Sequence, residues 1–270
     1  MAGTLYLVPT PIGNLGDISQ RMADTLAQAD FIAAEDTRVS IKLLNHLGLK
    51  KPMVSYHRHN TDSGGRAVLD RLLAGENCAL VTDAGMPAIS DPGEELVAQC
   101  AALGIPVCPI PGPCALVAAL AASGQPTGRF TFEGFLPMNK KNRRSHLDSL
   151  RGEERTMVFY EAPHKLAATL RDLADTFGAD RPISLCRELT KLHEEIRRAT
   201  LGESGRLLSG QHPQGGVRAG GPGLRADGGG RGHPGGRAAA GGPPAGRGTI
   251  PPGRCPPGGQ RAGPAPEAAL

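Results

Sequence analysis

The chain has 270 residues, enough for one large domain or two small ones, and a formal net charge of +4. Residues 216–270 hold 28 Gly or Pro among 55 residues, and their seven Arg against one Asp and one Glu give +5, which leaves −1 for residues 1–215. This balance excludes bulk charge as an argument for nucleic-acid binding, and the scarcity of apolar residues after 215 predicts a disordered tail.

Cysteine usage and hydropathy indicate a reducing compartment. The six Cys show no C-x-x-C spacing and most lie inside apolar runs, which is typical of buried thiols rather than of a disulfide framework. No run of about 18 apolar residues is present. We therefore expect a cytoplasmic protein without a membrane partner.

The first half of the chain alternates short apolar runs with helical periodicity. Strands are predicted at 4–8, 31–35, 53–56, 78–82 and 105–110. Asp17 is the predicted N-cap of the first helix, and Gly48 is a predicted C-cap. This alternation is typical of crossover units and predicts a parallel sheet.

After Gly124 the rhythm changes. "RFTFEGFLP", "TMVFYEAP" and "PISLCREL" read as strands, "NKKNRRSHLDSLRGEER" reads as a basic exposed helix, and "KLAATLRDLADTFG" and "HEEIRRATLGE" complete a second α/β layer. We predict an N-terminal α/β domain at 1–124, a C-terminal α/β domain at 125–215 and a Gly/Pro/Arg-rich tail at 216–270.

Three segments rich in Pro and Gly follow predicted strands, at 8–18, 81–93 and 109–115. Ligands of open parallel sheets bind beyond the carboxyl ends of the strands, so stiff loops on that rim predict a small-molecule pocket. The motifs G-x-G-x-x-G and G-x-x-x-x-G-K-[ST] are absent, which favours a ligand held by backbone groups over a phosphate cradle. The alternative that Pro and Gly only mark ordinary turns stays open.

Eight ordered blocks carry a family resemblance: "VPTPIGNLGDI", "AAEDTR", "VSYHRHN", "DAGMPAISDPG", "PIPGPCA", "FEGFLP", "VFYEAPHKL" and "CRELTK". They resemble the bacterial small-subunit (16S) ribosomal RNA cytidine-2′-O-methyltransferases of the tetrapyrrole-methylase superfamily, over about residues 4 to 203. The resemblance implies an α/β fold of two domains with S-adenosyl-L-methionine in the cleft between them. It also implies a homodimer that acts on small-subunit ribosomal RNA or the assembled 30S subunit, and no DNA partner.

The resemblance also implies which residues bind the cofactor. By position these are Asp83, Ala84, Gly85, Met86, Pro87, Ala88, Ile89 and Ser90, together with Gly112, Pro113, Cys114 and Ala115. The family usually has Thr where Met86 stands. Losing that hydroxyl removes one hydrogen bond, worth about 0.5–1.5 kcal/mol, so we expect weaker binding rather than none.

Methyl transfer from a sulfonium to a hydroxyl needs alignment, exclusion of water and help in removing a proton, but no metal. Glu35, Asp36 and Arg38 end a predicted strand on the same rim and are the catalytic candidates. A structural Asp36–Arg38 pair, or Asp36 as a plain N-cap, is the competing interpretation.

Two further groups are candidates for RNA contact. His57 and Asn60 lie in "HRHN", where His57 and His59 would point the same way on a strand; no Cys or carboxylate completes a metal set there. Four cations in "NKKNRR", Lys140, Lys141, Arg143 and Arg144, could meet phosphates. A solvated helix face is the competing interpretation of these four.

The resemblance ends after "LLSGQHPQG". The family continues with a block like Gly-Glu-Phe-Val-Leu-Val-Val, which GC-rich DNA can encode as GGC GAG TTC GTG CTG GTG GTG. Inserting one G after the first codon shifts the reading frame, and the translation becomes Gly-Gly-Val-Arg-Ala-Gly-Gly. That string stands at residues 215–221. We hypothesise that the chain from Gly216 is a frameshifted product, the alternative being a natural Arg/Gly-rich RNA-binding tail. A shifted chain would lack a strand of the second domain and have little stability or activity; resequencing the codons for Gln214 to Val217 separates the two.

Two other functions are carried as alternatives. A tetrapyrrole C-methyltransferase would share the fold, and a non-catalytic RNA-associated scaffold would keep the pocket without using it. Comparing methyl transfer to ribosomal subunits with methyl transfer to a porphyrin distinguishes the RNA methyltransferase from the tetrapyrrole C-methyltransferase. Calorimetric titration with S-adenosylmethionine distinguishes an enzyme from a scaffold, which need not bind the donor.

Overall fold

The computed structural model describes residues 1–208 and the backbone of residues 267–269. Residues 1–124 contain a five-stranded parallel sheet with the strand order β3-β2-β4-β1-β5. Its strands are β1 (Leu5–Leu7), β2 (Phe31–Ala34), β3 (Met53–Ser55), β4 (Cys78–Val81) and β5 (Val107–Pro109). The predicted parallel sheet is thus confirmed, strand for strand.

Five helices cross between these strands and after the last of them. They are α1 (Gln20–Gln28), α2 (Thr37–His46), α3 (Thr61–Leu73), α4 (Glu94–Ala102) and α5 (Ala115–Ser123). The C-cap of α2 is Leu47, one residue before the predicted Gly48, which follows it in the left-handed conformation with φ +68°. The predicted N-cap of α1 is wrong: Ser19, not Asp17, accepts a hydrogen bond from the Met22 amide at 3.2 Å, because Asp17 already ends a preceding 3₁₀ turn.

The parallel sheet is buried on both faces, which explains why its strands read as continuous apolar runs. Leu5, Phe31 and Leu80 pack on one face against α3 and α4. Ile32 and Val81 pack on the other face, against α1 and α2. With both faces covered by helices, only the ends of the strands are open to a ligand.

Residues 130–208 and 267–269 form a second sheet of the order β6-β7-β10-β8-β9, in which β6 and β7 are parallel and the other pairs are antiparallel. Its strands are β6 (Phe130–Phe135), β7 (Thr156–Glu161), β8 (Pro182–Arg187), β9 (Glu195–Thr200) and β10 (Glu267–Ala269), and its helices are α6 (Lys140–Ser149), α7 (Leu166–Phe177) and α8 (Leu201–Leu208). Leu116, Ala119 and Leu120 of α5 pack against Val158 and Tyr160 of β7. Helix α5 therefore ties the two sheets together.

The C-terminal segment differs from the prediction at residues 267–269. These residues form β10, which lies between β7 and β8, whereas the sequence predicts disorder for the whole segment 216–270 and a missing strand if the frameshift is real. The pairing satisfies backbone groups on the facing edges of β7 and β8, which would otherwise stay open. The remainder of the predicted tail, and the proposed frameshift point at Gly216, lie outside the described residues.

The helices found within the described part of the chain are all too short or too polar to cross a membrane.

Candidate active site

A cavity of about 590 Å³ lies where the loops at the carboxyl edge of the parallel sheet meet the second sheet. This volume is typical of small-molecule sites. The loop side is lined by Ile12, Glu35, Asp83, Ala84, Gly85, Met86, Ile89, Ser90, Asp91, Cys114 and Ala115, and the second-sheet side by Phe135, Tyr160, Ala162, Pro163 and His164. The rigid-loop pocket that the sequence predicted is present.

The loops after β1 and β4 leave neighbouring strands and are locked to each other. The Thr10 and Gly85 amides each donate to the other residue's carbonyl at 2.9 Å, and the Thr10 hydroxyl donates to the Thr82 carbonyl at 2.9 Å. Gly85 has φ +92°, a conformation that L side chains rarely adopt. The amide and carbonyl of Gly85 therefore hold the two loops of the cavity wall together.

The rest of the loop after β4 folds back on itself. Ala88 and Ser90 have φ +66° and +62°, which costs free energy for residues with a Cβ. The Ala88 amide donates to the Pro92 carbonyl at 3.3 Å, and the Arg58 guanidinium donates to the Ser90 carbonyl. These contacts hold Ile89, Ser90 and Asp91 against the cavity.

The opposite wall is aromatic. The Tyr160 ring meets the rings of Phe132 and Phe135 edge to face, with centroids 5.0 and 5.6 Å apart. The Leu116 amide, in the first turn of α5, donates to the Tyr160 hydroxyl at 2.9 Å. Contacts to both its ring and its hydroxyl thus fix Tyr160 in this wall.

The charge in the cavity comes from three carboxylates. Burial raises the pKa of Glu35, and the charge of Asp83 raises it further. Burial, with a smaller contribution from Asp36, raises the pKa of Asp83. Burial, assisted mainly by the charge of Glu35, raises the pKa of Asp91 to about 7. Among the described residues that line the cavity there is no Lys or Arg, so the site suits a cation.

The raised pKa of Asp91 gives a prediction about stability. The folded chain holds this proton more tightly than the unfolded chain, so the associated stability is full below about pH 4 and is lost as the pH rises to about 7. We expect the free energy of unfolding of the parent, relative to Asp91→Asn, to fall by about 1–2 kcal/mol between pH 5 and 8 after allowance for solvent screening. Urea unfolding across that range measures it, with Asp175→Asn on α7 as the exposed control. Parallel curves for the parent and Asp91→Asn would contradict the prediction.

Most of the predicted cofactor residues face the cavity, and four do not. Pro87 and Ala88, in the same loop, do not line the cavity. Gly112 and Pro113 instead line an adjoining cavity of about 400 Å³, which shares Ile12 and Cys114 with the first. A Cβ on Gly112 would lie 2.5 Å from Pro9 Cγ, so this glycine is needed for close packing of the loops after β5 and β1.

Of the three catalytic candidates, the structure places one at the cavity and two away from it. Glu35 faces the cavity, whereas Asp36 and Arg38 do not line it. The Asp36 carboxylate accepts from the Arg38 amide at 2.8 Å as the N-cap of α2 and pairs with the exposed Arg38 guanidinium at 2.6 Å. The guanidinium holds the pKa of Asp36 down to about 2. The structural interpretation therefore fits this pair.

The segment "HRHN" is a turn between β3 and α3, which corrects the expectation that His57 and His59 lie on a strand. The Asn60 side chain accepts from the His57 amide at 2.7 Å and donates to the Ser55 carbonyl at 2.9 Å. Both polar atoms of the Asn60 side chain therefore brace this turn, and its RNA contact stays a prediction. Within residues 1–208, no three His, Cys, Asp or Glu side chains are grouped as a metal site.

The basic helix is only partly available for RNA. Lys140, Lys141 and Arg144 are exposed on α6. Arg143 is 14% exposed, donates to Asp172 at 2.6 Å and to the Thr169 hydroxyl at 2.8 Å, and lies 3.9 Å from Glu161. Its place in the RNA set is corrected, because three partners on β7 and α7 hold it inside the domain.

Seven lining residues were not among the site residues predicted from the sequence: Ile12, Asp91, Phe135, Tyr160, Ala162, Pro163 and His164. All lie in the blocks "VPTPIGNLGDI", "DAGMPAISDPG", "FEGFLP" and "VFYEAPHKL", which carry the family resemblance. Those blocks mark a region as a site, but they do not say which of its side chains face the cavity. Only the packing of the second sheet against the loops decides that.

Comparison with known proteins places these features in a family. The model of the Tetrapyrrole (Corrin/Porphyrin) Methylases matches residues 4–204, a span that contains every residue lining the cavity. The chain belongs to this family.

Relatives within the methylase family are close in sequence. The chain is 54% identical over 199 residues to Ribosomal RNA small subunit methyltransferase I of Synechocystis sp., covering 74% of this chain and 71% of the relative. It is 52% identical over 202 residues to the protein of the same name from Pseudomonas aeruginosa, covering 75% and 72%.

The methylase fold is also seen in more distant solved structures. Uroporphyrin-III C-methyl transferase from Thermus thermophilus, complexed with S-adenyl homocysteine, superposes with a TM-score of 0.52 at 18% identity, covering 80% of this chain and 89% of that one. Another structure of uroporphyrin-III C-methyltransferase from that organism gives 0.53 at 20% identity, covering 78% and 90%. At these identities the likeness shows the fold alone.

Proposed function

We propose that the chain transfers a methyl group from S-adenosyl-L-methionine to the 2′-hydroxyl of a cytidine in small-subunit ribosomal RNA. The observation that carries the proposal is the identity of 48–54% to proteins named Ribosomal RNA small subunit methyltransferase I. The family match at residues 4–204 includes the whole cavity. The assignment to cytidine and to the 2′-oxygen follows the motif resemblance.

The cavity residues fit a positively charged methyl donor. S-adenosylmethionine supplies, when bound, an electrophilic methyl group on a cationic sulfur. Ala84, Gly85 and Ala115 let main chain come close to a flat ligand, and Met86 and Ile89 add apolar wall. The three carboxylates favour the cation, and the donor's class is supported by the S-adenyl homocysteine complex of a protein with the same fold.

On the acceptor side, Glu35 is the proposed proton acceptor and Asp91 its neighbour. A carboxylate with a raised pKa is a better base at neutral pH than an exposed one, so burial serves this role. The second-sheet wall, with Phe135 and Tyr160, forms the other side of the cavity. In this arrangement Asp83 contributes charge, which raises the pKa of Glu35.

The RNA contact is proposed for the exposed cations of α6, and it gives a prediction that separates two adjacent arginines. Arg144→Ala should leave the free energy of unfolding within about 0.5 kcal/mol of the parent value. It should reduce the magnitude of the slope of log RNA affinity against log salt concentration by about 0.7–0.9, for one lost phosphate contact. Arg143→Ala should cost about 2–3 kcal/mol of stability because it leaves Asp172 and Thr169 without their donor.

Filter-binding titrations of small-subunit RNA at several salt concentrations, with urea unfolding of both variants, measure these effects. An unchanged salt slope for Arg144→Ala, or full stability for Arg143→Ala, would contradict the assignment of the two residues.

The proposal is tested by incubating the purified chain with labelled S-adenosylmethionine and either small-subunit RNA, assembled 30S subunits or uroporphyrin III. Label in a cytidine ribose of the RNA supports the proposal. Label in uroporphyrin III supports the tetrapyrrole alternative, which is tested because a uroporphyrin-III C-methyl transferase has the same fold. Calorimetric titration with S-adenosylmethionine is run beside it. The absence of donor binding would favour a scaffold. We propose a cytoplasmic homodimer as the acting form, which sedimentation tests.

A further inference from the structure

Strand β6 contains an irregularity that aims one aromatic ring at the cavity. The pairing of β6 with β7 shifts register between Phe132 and Gly134, and Gly134 has φ +59°. Residues three apart on a regular strand face opposite sides of the sheet, yet Phe132 and Phe135 both meet the Tyr160 ring. The extra residue of the bulge therefore turns Phe135 to the cavity side, as bulges beside active sites do.

The Phe135 ring is fixed but not covered. Its edge-to-face contact with Tyr160 holds the ring at the cavity wall, while 46% of the residue remains exposed. Tyr160 itself is buried, so the accessible phenyl surface among the described lining residues belongs to Phe135. An exposed large apolar side chain in a concave site is a sign of a ligand surface.

The chain that follows Phe135 leads directly to the cations of α6. Leu136 is buried, Met138 is 82% exposed, and the Asn139 side chain caps α6 by accepting from the amides of residues 141 and 142. Lys140 and Lys141 stand exposed in the first turn, where positive charge opposes the helix dipole. An aromatic face beside a cavity, continued by exposed cations, matches what a single RNA nucleotide with its flanking phosphates presents.

We propose that Phe135 stacks on the base of the nucleotide that receives the methyl group, with that nucleotide turned out of the RNA stack into the cavity. This inference rests on the proposed function. The ribose hydroxyl must reach Glu35, and the attached base then needs a flat apolar surface in place of its lost stacking neighbours. Phe135 supplies that surface from the second-sheet side of the cavity, which the loop with the carboxylates also lines.

The test compares Phe135→Leu, Phe135→Tyr and Phe130→Leu. Phe130 is the matched control, because it begins the same strand, is 40% exposed and does not line the cavity. For Phe135→Leu we expect the Kd for a short single-stranded RNA carrying the target cytidine, and the KM for small-subunit RNA, to rise about 5- to 100-fold. The Kd for S-adenosylmethionine should stay within about twofold, since the base is not part of the donor. Phe135→Tyr should restore RNA affinity and Phe130→Leu should not change it.

Equal RNA affinity in Phe135→Leu and the parent would overturn the stacking role, and so would a loss that Phe135→Tyr fails to rescue. A parallel loss of donor affinity would show a structural role instead. If the parent binds RNA with the expected Phe135 dependence but transfers no methyl group, the proposed reaction fails while the stacking role stands. If the parent binds no RNA, both are overturned.

Discussion

Replacing Glu35 with Gln should lower methyl transfer to small-subunit ribosomal RNA by a factor of about 10²–10⁴ while leaving the donor bound. Gln keeps the shape of the side chain, replaces one acceptor oxygen with an amide donor and cannot accept a proton. Glu35 follows β2 directly, lines the cavity, and has a pKa raised by burial and by Asp83. These features suit a base that works at neutral pH.

The rate is best measured in single turnover with enzyme in excess, so that a slow parent reaction remains measurable. Asp36→Asn is the matched control, because Asp36 is the next residue but does not line the cavity. Calorimetry with S-adenosylmethionine checks that both variants keep the donor site. Transfer by Glu35→Gln within about twofold of the parent rate would remove Glu35 from the mechanism.

The second large effect is expected from Ala84→Phe. Ala84 is half-buried, lines the cavity and follows directly on Asp83, so a phenyl ring at this position occupies space that the donor needs. We expect the affinity for S-adenosylmethionine to fall at least about 100-fold, equivalent to about 2.7 kcal/mol. The variant tests whether the loop after β4 holds the donor, which is the physical basis of the proposed function.

Calorimetric titration measures this loss, and Ala101→Phe, on the exposed surface of α4, is the control for adding a ring. Overpacking of a cavity wall costs about 1–3 kcal/mol, so urea unfolding must show that the variant is folded. Ala84→Val, with a smaller side chain, should give an intermediate affinity if Ala84→Phe is too unstable. Donor affinity unchanged in a folded Ala84→Phe would place the methyl donor elsewhere.

The positions of the strands were predictable because their local sequence pattern matches their burial in the folded protein. β2 and β4 are buried on both faces, so their sequences are uniformly apolar and are bounded by loop residues. Caps were less predictable. Asp17 and Ser19 are both good N-cap residues, and the choice between them depended on a 3₁₀ turn that closes just before α1.

The environment of charged side chains was the least predictable feature, because the sequence does not show whether a charged residue is exposed to solvent or paired with another residue. Arg143 and Arg144 are adjacent in one basic run, yet the first is held by Asp172 and Thr169 and the second is exposed. Similarly, Asp36 is occupied as a cap while Glu35 faces the cavity. Which of two neighbours serves the site depends on the direction of each side chain relative to distant elements.

The sequence by itself determined the parallel sheet, the rim on which its Pro and Gly loops gather, and the family, because each of these is written in local periodicity and in ordered blocks of adjacent residues. Tertiary structure alone decided that Asp91, Phe135 and Tyr160 share one cavity with Glu35. These residues come from separate strands and loops of two sheets, and the bulge at Gly134 that turns Phe135 inward exists only through pairing with β7. Contacts between such distant segments arise from packing, which no local pattern encodes.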